Sequence, residues 1–468
     1  MIECVIINAK IVSPREILHG CIAIDGGKIE LVGPRFLMPQ SRQTIDARDR
    51  FVIPGLIDPH IHYGLFGTES IIERVRRDWA PDSVGAVYGG VTTVLPMLMS
   101  TDSYVPLVKD LTAWAELAQP TDFGFTVIVH QDQHQRDMPE LFEMGVTSYK
   151  HFFNAFKGNE GYRINVAPVD EGMLFRSFEI ARDLGEPALC MVHAEDCDLY
   201  NVFIAKERTK GRDGLEAWAD ARPQFTEYAR IEFAATLAYE AAAPLYFVHL
   251  STRQSVGIVQ KYKLKGARLS AEVVPHTLTV SRHDREVGVW GKFVPPLRGW
   301  EDINHLWDGL RSGVIDHMAT DHCTYLVTEK EAGQGKHGSI WDVPPGISNV
   351  QEHWLPVIMT DGVRLGKISI QDLVRVCSEN TAKRFGLYPR KGVIAMGADA
   401  DLVIVDDGTE VLVDQDFYHG RDGSFSIHMG KRVIGRPVLT MVRGQVLMQE
   451  GKYLGTRGGG RFTPSRRA

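Results

Sequence analysis

Six residues are of kinds that bind cations or move protons, and each falls near the end of a short apolar run: His60, His62, Lys150, His193, His249 and Asp321. His60 and His62 are two apart. In an extended strand such residues point to the same side, so both can reach one ion. Imidazoles joined by a carboxylate suit Zn²⁺, and also Mn²⁺, Co²⁺ or Fe²⁺. A lone histidine at a strand end is ordinary structure, but four histidines and an aspartate converging through one topology are not. Lys150 differs from the others, because an ammonium cannot ligate a cation. It must pair with an acid, lose its proton or be modified, and residue chemistry leaves that choice open.

The elements that must position these residues follow a clear rhythm. Apolar, β-branched runs recur as FVIPGLIDPHIH, VTTVLPML, FTVIVH, VTSYK, ALCMVHAE, LYFVHL, RLSAEVVPH and VIDHMATDH. Between them lie amphipathic stretches such as SIIERVRRDW, EGMLFRSFEIARDLG and TEYARIEFAATLAYE. Strands alternating with helices imply a parallel sheet covered by helices. Eight such units fit a (β/α)₈ barrel over residues 53–394, and no Gly-x-Gly-x-x-Gly follows an early strand, as an open dinucleotide-binding sheet would require. The first strand is expected to end at His60-Ile61-His62, the fourth at Lys150, the fifth at His193, the sixth at His249 and the eighth at Asp321. C-terminal strand ends of a parallel barrel share one mouth. His276 closes the seventh run and is a candidate supporting residue, whereas His151 should face the helices.

Residues 1–52 and 395–468 read differently, as short strands with turns at Gly26-Gly27, Gly444 and Gly451. These two sets are expected to pair into a small β-sandwich domain. Net charge is 52 − 59 = −7 with no basic tract outside the C-terminal tail, which gives no footing for nucleic acid. The basic tail Arg457–Arg467, with its glycines, reads as a loose end. Six irregularly spaced cysteines read as reduced, buried thiols, with Cys323 packed beneath the mouth. The absence of a leader-like start or a run of ~20 apolar residues points to a soluble, cytoplasmic protein without membrane contact.

The strings GLIDPHIH, SYKHFF, MVHAED, YFVHLST, VPPLR and MATDHC, with the closing VRGQVLMQEGKYLG, resemble in order and spacing those of the dihydropyrimidinases and hydantoinases. These are cyclic amidohydrolases of the amidohydrolase superfamily. The resemblance implies a carboxylated Lys150, a carbamate derived from CO₂, bridging two divalent ions. His60, His62 and Asp321 would hold one ion and His193 with His249 the other. Two such ions roughly 3.5–4 Å apart share and acidify a water and polarise the scissile carbonyl. Asp321 would carry the proton to the leaving nitrogen. Relatives are typically homotetramers, so self-association is expected, with a small-molecule amide as substrate.

Three positions that hold the ring amide in that family differ here. Phe156 stands where a tyrosine would fall, Val294 replaces a serine, and Asp342 takes the place of an asparagine. Lost hydrogen-bond partners remove recognition, so a substrate other than hydantoin or dihydrouracil is expected. Asn154 or Tyr162 could stand in, and Phe66, Phe152, Phe153, Phe156, Trp290 and Trp341 could form an aromatic pocket. Alternatives are an open-chain amide or carbamate hydrolase, a collapsin-response-mediator-like binding protein, which would lack the ligands, and a one-metal deaminase, which would not need Lys150.

Overall fold

Apolar runs bounded by glycine and proline fold as parallel strands, and the amphipathic stretches fold as helices against them. The computed structural model describes residues 1–156, 166–456 and 458–466. Eight parallel segments succeed one another around one sheet: Leu56–His62, Val91–Leu98, Thr126–Ile128, Ser148–Phe153, Leu189–Ala194, Leu245–Phe247, Leu269–Val273 and the interrupted stretch 317–323. In that last stretch His317–Met318 pairs with Leu269–Val273, and His322–Cys323 pairs with Leu56–His62. The sheet thus returns to its first strand, as the barrel expected from the sequence requires. Every residue of Leu56–His62, Ser148–Phe153 and Leu189–Ala194 is buried, the pattern of strands covered on both faces.

The three amphipathic stretches lie in the helices Ile71–Tyr88, Glu171–Leu184 and Phe225–Glu240. The first begins with a capping box between Ser70 and Glu73. Such a cap stabilises a helix start by about 1 kcal/mol.

The run FVIPGLIDPHIH is not one strand. It divides at Gly55 into Phe51–Pro54, which joins a second sheet, and Leu56–His62, which opens the barrel. A Cβ on Gly55 would lie 2.1 Å from the Thr92 hydroxyl, so only glycine lets the chain cross there. The second sheet has nine strands drawn from both chain ends. Leu402–Asp406 joins the two sets by pairing antiparallel with Phe51–Pro54. Gly26 and Gly27, at φ 55° and 76°, form the two-residue turn between Ile17–Asp25 and Lys28–Gly33, a left-handed geometry that favours glycine.

The tail departs from expectation. Phe462 packs on Phe123 and Phe125, with ring centroids 5.9 Å away in each case. Thr463 donates its backbone N–H to the Phe123 carbonyl at 2.6 Å. One aromatic side chain outweighs the surrounding arginines and glycines and docks this segment. All six cysteines are free and buried. Among the described residues no helix is long and apolar enough to cross a membrane.

Candidate metal centre

The barrel topology does gather the six residues, though fewer of them close strands than the sequence suggests. His62 ends its strand, and His193 is the last but one in Leu189–Ala194. Lys150 sits mid-strand, because the apolar Phe152 and Phe153 extend Ser148–Phe153 beyond it. His249 and Asp321 lie outside regular strand, with φ of 37° and 46°. His276 belongs to the short helix Pro275–Thr279.

Distances describe two groups sharing Asp321. His60 Nε2 is 3.2 Å and His62 Nε2 3.1 Å from Asp321 Oδ1. His249 Nε2 lies 4.0 Å from Asp321 Oδ2 and 3.0 Å from His193 Nδ1. Lys150 Nζ is 3.4 Å from His60 Nε2, and no described carboxylate lies within ion-pair distance of it. All six are buried.

Burial pushes the Asp321 carboxyl up, but His60 and His62 outweigh it and hold the group well below the usual carboxylate range. Burial also lowers His62, His193 and His249, favouring the neutral imidazoles that ligate cations. At His60 burial is overcome by Asp321 and Glu272, which raise it. Burial brings the Lys150 amine down to about 8, against the pull of Asp321 and Glu272.

Two acids the sequence reading missed complete the arrangement. Glu272 Oε1 accepts from His60 Nδ1 at 2.8 Å and from the His249 backbone N–H at 3.1 Å, while Oε2 accepts from the Tyr246 hydroxyl at 2.7 Å. Glu195 Oε2 is 3.1 Å from His193 Nε2 and 2.9 Å from Arg222 Nη1. Burial raises Glu195, but Arg222 and His193 bring it to about 2. A carboxylate on one ring nitrogen fixes the tautomer and leaves the other nitrogen's lone pair for a cation. His60 Nε2 and His193 Nδ1 are so directed, and the latter faces the His249 nitrogen. This donor set fits two divalent ions, with His60, His62 and Asp321 as the tighter triad. The signals for the two acids were a glutamate inside the apolar LSAEVV and another two residues after His193.

The centre opens into a cavity of about 540 Å³. Phe152, Phe156 and Val294 line it as expected, with Phe66 and Trp341, and Cys323 lines it too rather than packing beneath. Asp342 lies at the exposed rim, 3.8 Å from Arg208. Asn154 is not in the lining. The strand ends just before it and φ turns to 53°, so its carbonyl accepts from the Cys197 N–H at 3.0 Å and its side chain is carried away. Phe153 points to the opposite face and packs on Phe233, and Trp290 packs on Phe425. Tyr162 lies outside the described residues. Tyr325, Asn201 and Lys292 line the cavity without having been singled out from sequence.

Comparison with known proteins bears on this geometry. Residues 263–447 match the model of the amidohydrolase family. The D-hydantoinase of Ralstonia pickettii is 32% identical over 99% of each chain, and that of Geobacillus stearothermophilus is 31% identical over 97% of this chain and 95% of the relative. Among solved structures, the L-hydantoinase (dihydropyrimidinase) from Arthrobacter aurescens superposes with a TM-score of 0.91 at 27% identity, covering 99% of this chain and 100% of that one. Along nearly its whole length, therefore, the chain belongs to the amidohydrolase family, within the group of hydantoinases and dihydropyrimidinases.

Proposed function

We propose that this protein is a binuclear metal-dependent hydrolase that opens the C–N bond of a cyclic amide, imide or ureide. In this reading His60, His62 and Asp321 hold one divalent ion, most naturally Zn²⁺, and His193 with His249 hold the second. Lys150 bridges both as a carbamate. The observation that carries the reading is the aim of the imidazoles, since Glu272 and Glu195 each take one ring nitrogen and leave another turned toward the Asp321 carboxylate or the His249 ring. A binding protein or scaffold has no need of that orientation.

The ions would supply an acidified water and a Lewis acid for the carbonyl. The chain's own residues do the rest. Lys150 is buried with no described carboxylate within ion-pair distance and is lowered to about 8, so about one tenth of it is neutral at pH 7. Only the neutral amine attacks CO₂, forming an N–C bond and releasing a proton. Asp321 reaches both groups of histidines and takes the proton of the attacking water. It then delivers that proton to the ring nitrogen as the C–N bond breaks, because an amide anion is a very poor leaving group.

The cavity wall guides the substrate. Phe152 and Phe156 meet edge to face with centroids 4.9 Å apart, and Phe156 lies 5.2 Å from the His193 ring. An unsubstituted polar ring would find few partners there, whereas a cyclic amide with an apolar or aryl substituent would bury it against these rings. On this reading the preferred substrate is a ring other than unsubstituted hydantoin or dihydrouracil. A panel of hydantoins, dihydropyrimidines, cyclic imides and aryl amides tests this. Preferred turnover of a substituted ring is expected, and preference for hydantoin itself would contradict the reading of Phe156 and Val294.

A further inference from the structure

Opening an amide ring moves the carbonyl π pair onto oxygen, and a donor already aimed at that oxygen lowers the barrier most. Phe152, Phe156 and Val294 provide no such donor from their side chains. Three polar side chains in the lining are engaged elsewhere. Asn201 Nδ2 is 3.2 Å from Cys197 Sγ, Arg208 Nη2 donates to the Trp341 carbonyl at 3.3 Å, and Lys292 Nζ to the Val343 carbonyl at 2.6 Å.

Tyr325 stands apart from these. It is 2% exposed, lines the same cavity as Asp321, and no described residue takes its hydroxyl. Its ring is held firmly, with Phe66 packed on it at a 38° tilt, 4.4 Å between centroids. A Cβ on Gly346, at φ 122°, would come within 2.7 Å of the Tyr325 ring. Lys330 in turn ties down the loop carrying Gly346 by donating to the carbonyls of Lys292, Pro344 and Gly346 at 2.8, 2.9 and 2.6 Å.

We infer that Tyr325 supplies the side-chain hydroxyl that holds the scissile carbonyl oxygen, a place Phe156 cannot fill. The inference rests on the hydrolytic reading above. As a water oxygen adds to the carbonyl carbon, the C=O π pair moves to oxygen, which accepts a hydrogen bond from Tyr325 without taking its proton. When that pair returns, the C–N bond breaks and the ring nitrogen receives the proton carried by Asp321. One water is consumed: one of its protons ends on the ring nitrogen as a new N–H, and the other stays on the added oxygen as a carboxylic acid, which releases it to solvent to leave the carboxylate. Burial, with Cys323, Glu329 and Asp321 nearby, keeps the phenol well above its ordinary pKa and hence a donor.

Tyr325→Phe retains the ring and its contact with Phe66 and removes only the hydroxyl. With a substrate turned over by wild type, kcat should fall on the order of 10²-fold while KM changes less than about threefold and metal content is unchanged. A kcat loss below about tenfold, or a loss carried by KM alone, overturns the inference and leaves the hydrolase reading standing. A wild type inert toward the whole panel overturns both.

Discussion

Lys150 and Lys391 are both buried, yet their surroundings differ in kind. Lys391 touches Asp122 and lies 3.0 Å from Asp399 and 2.6 Å from Asp401, and Arg443 also reaches Asp122. Those three acids are grouped closely enough to hold a metal, but the chain's own cations already answer them. Asp321 is answered instead by imidazoles, and Lys150 has a histidine 3.4 Å away but no described carboxylate within ion-pair distance. A buried acid cluster completed by lysine and arginine joins strands from distant parts of the chain. One completed by histidines, beside a lysine with no described carboxylate within ion-pair distance, is built to receive charge from outside.

This contrast can be broken in graded ways. Lys150→Ala should cost on the order of 10³-fold or more in turnover, because the residue proposed to bridge both ions is gone; residual turnover within tenfold of wild type argues against the bridge. Lys391→Met should leave metal content of the folded protein unchanged while lowering stability by about 3–5 kcal/mol, read from the urea midpoint, since buried acids lose their cation. Equal metal loss in both variants would erase the distinction between the clusters.

Smaller effects sharpen it. Glu272→Gln keeps the shape but weakens the hold on His60, and a 10–100-fold loss of metal affinity is expected from titration of the apoprotein. The pH dependence has a definite sign. Carbamate formation needs neutral Lys150, lowered to about 8, so the rate at which CO₂ and metal reactivate the apoprotein should rise about tenfold per pH unit below that value and level off above it. A rate flat between pH 6 and 8 would mean that Lys150 is not the group modified.

The clustering of residues 60, 62, 193, 249 and 321 was legible because barrel strands open on one mouth, although His249 and Asp321 lie outside regular strand. The acids behind them were less legible. Glu272 is a single charge inside an apolar strand, and only its cross-strand contact with His60 reveals its purpose. Asn154 falls outside the cavity lining because a left-handed turn follows Phe153, and a local φ is not written in spacing. The docked tail escaped notice for a similar reason, since Phe462 finds Phe123 and Phe125 only once the barrel exists. Tyr325 was hidden because its partners, Phe66 and Gly346, come from other loops.

The most direct test of the central claim is elemental analysis of the protein reconstituted with divalent metal and bicarbonate. The proposed centre predicts about two equivalents per chain, falling to about one or less in Lys150→Ala. Less than one equivalent in wild type, or the same content in both proteins, would contradict a binuclear site bridged by Lys150.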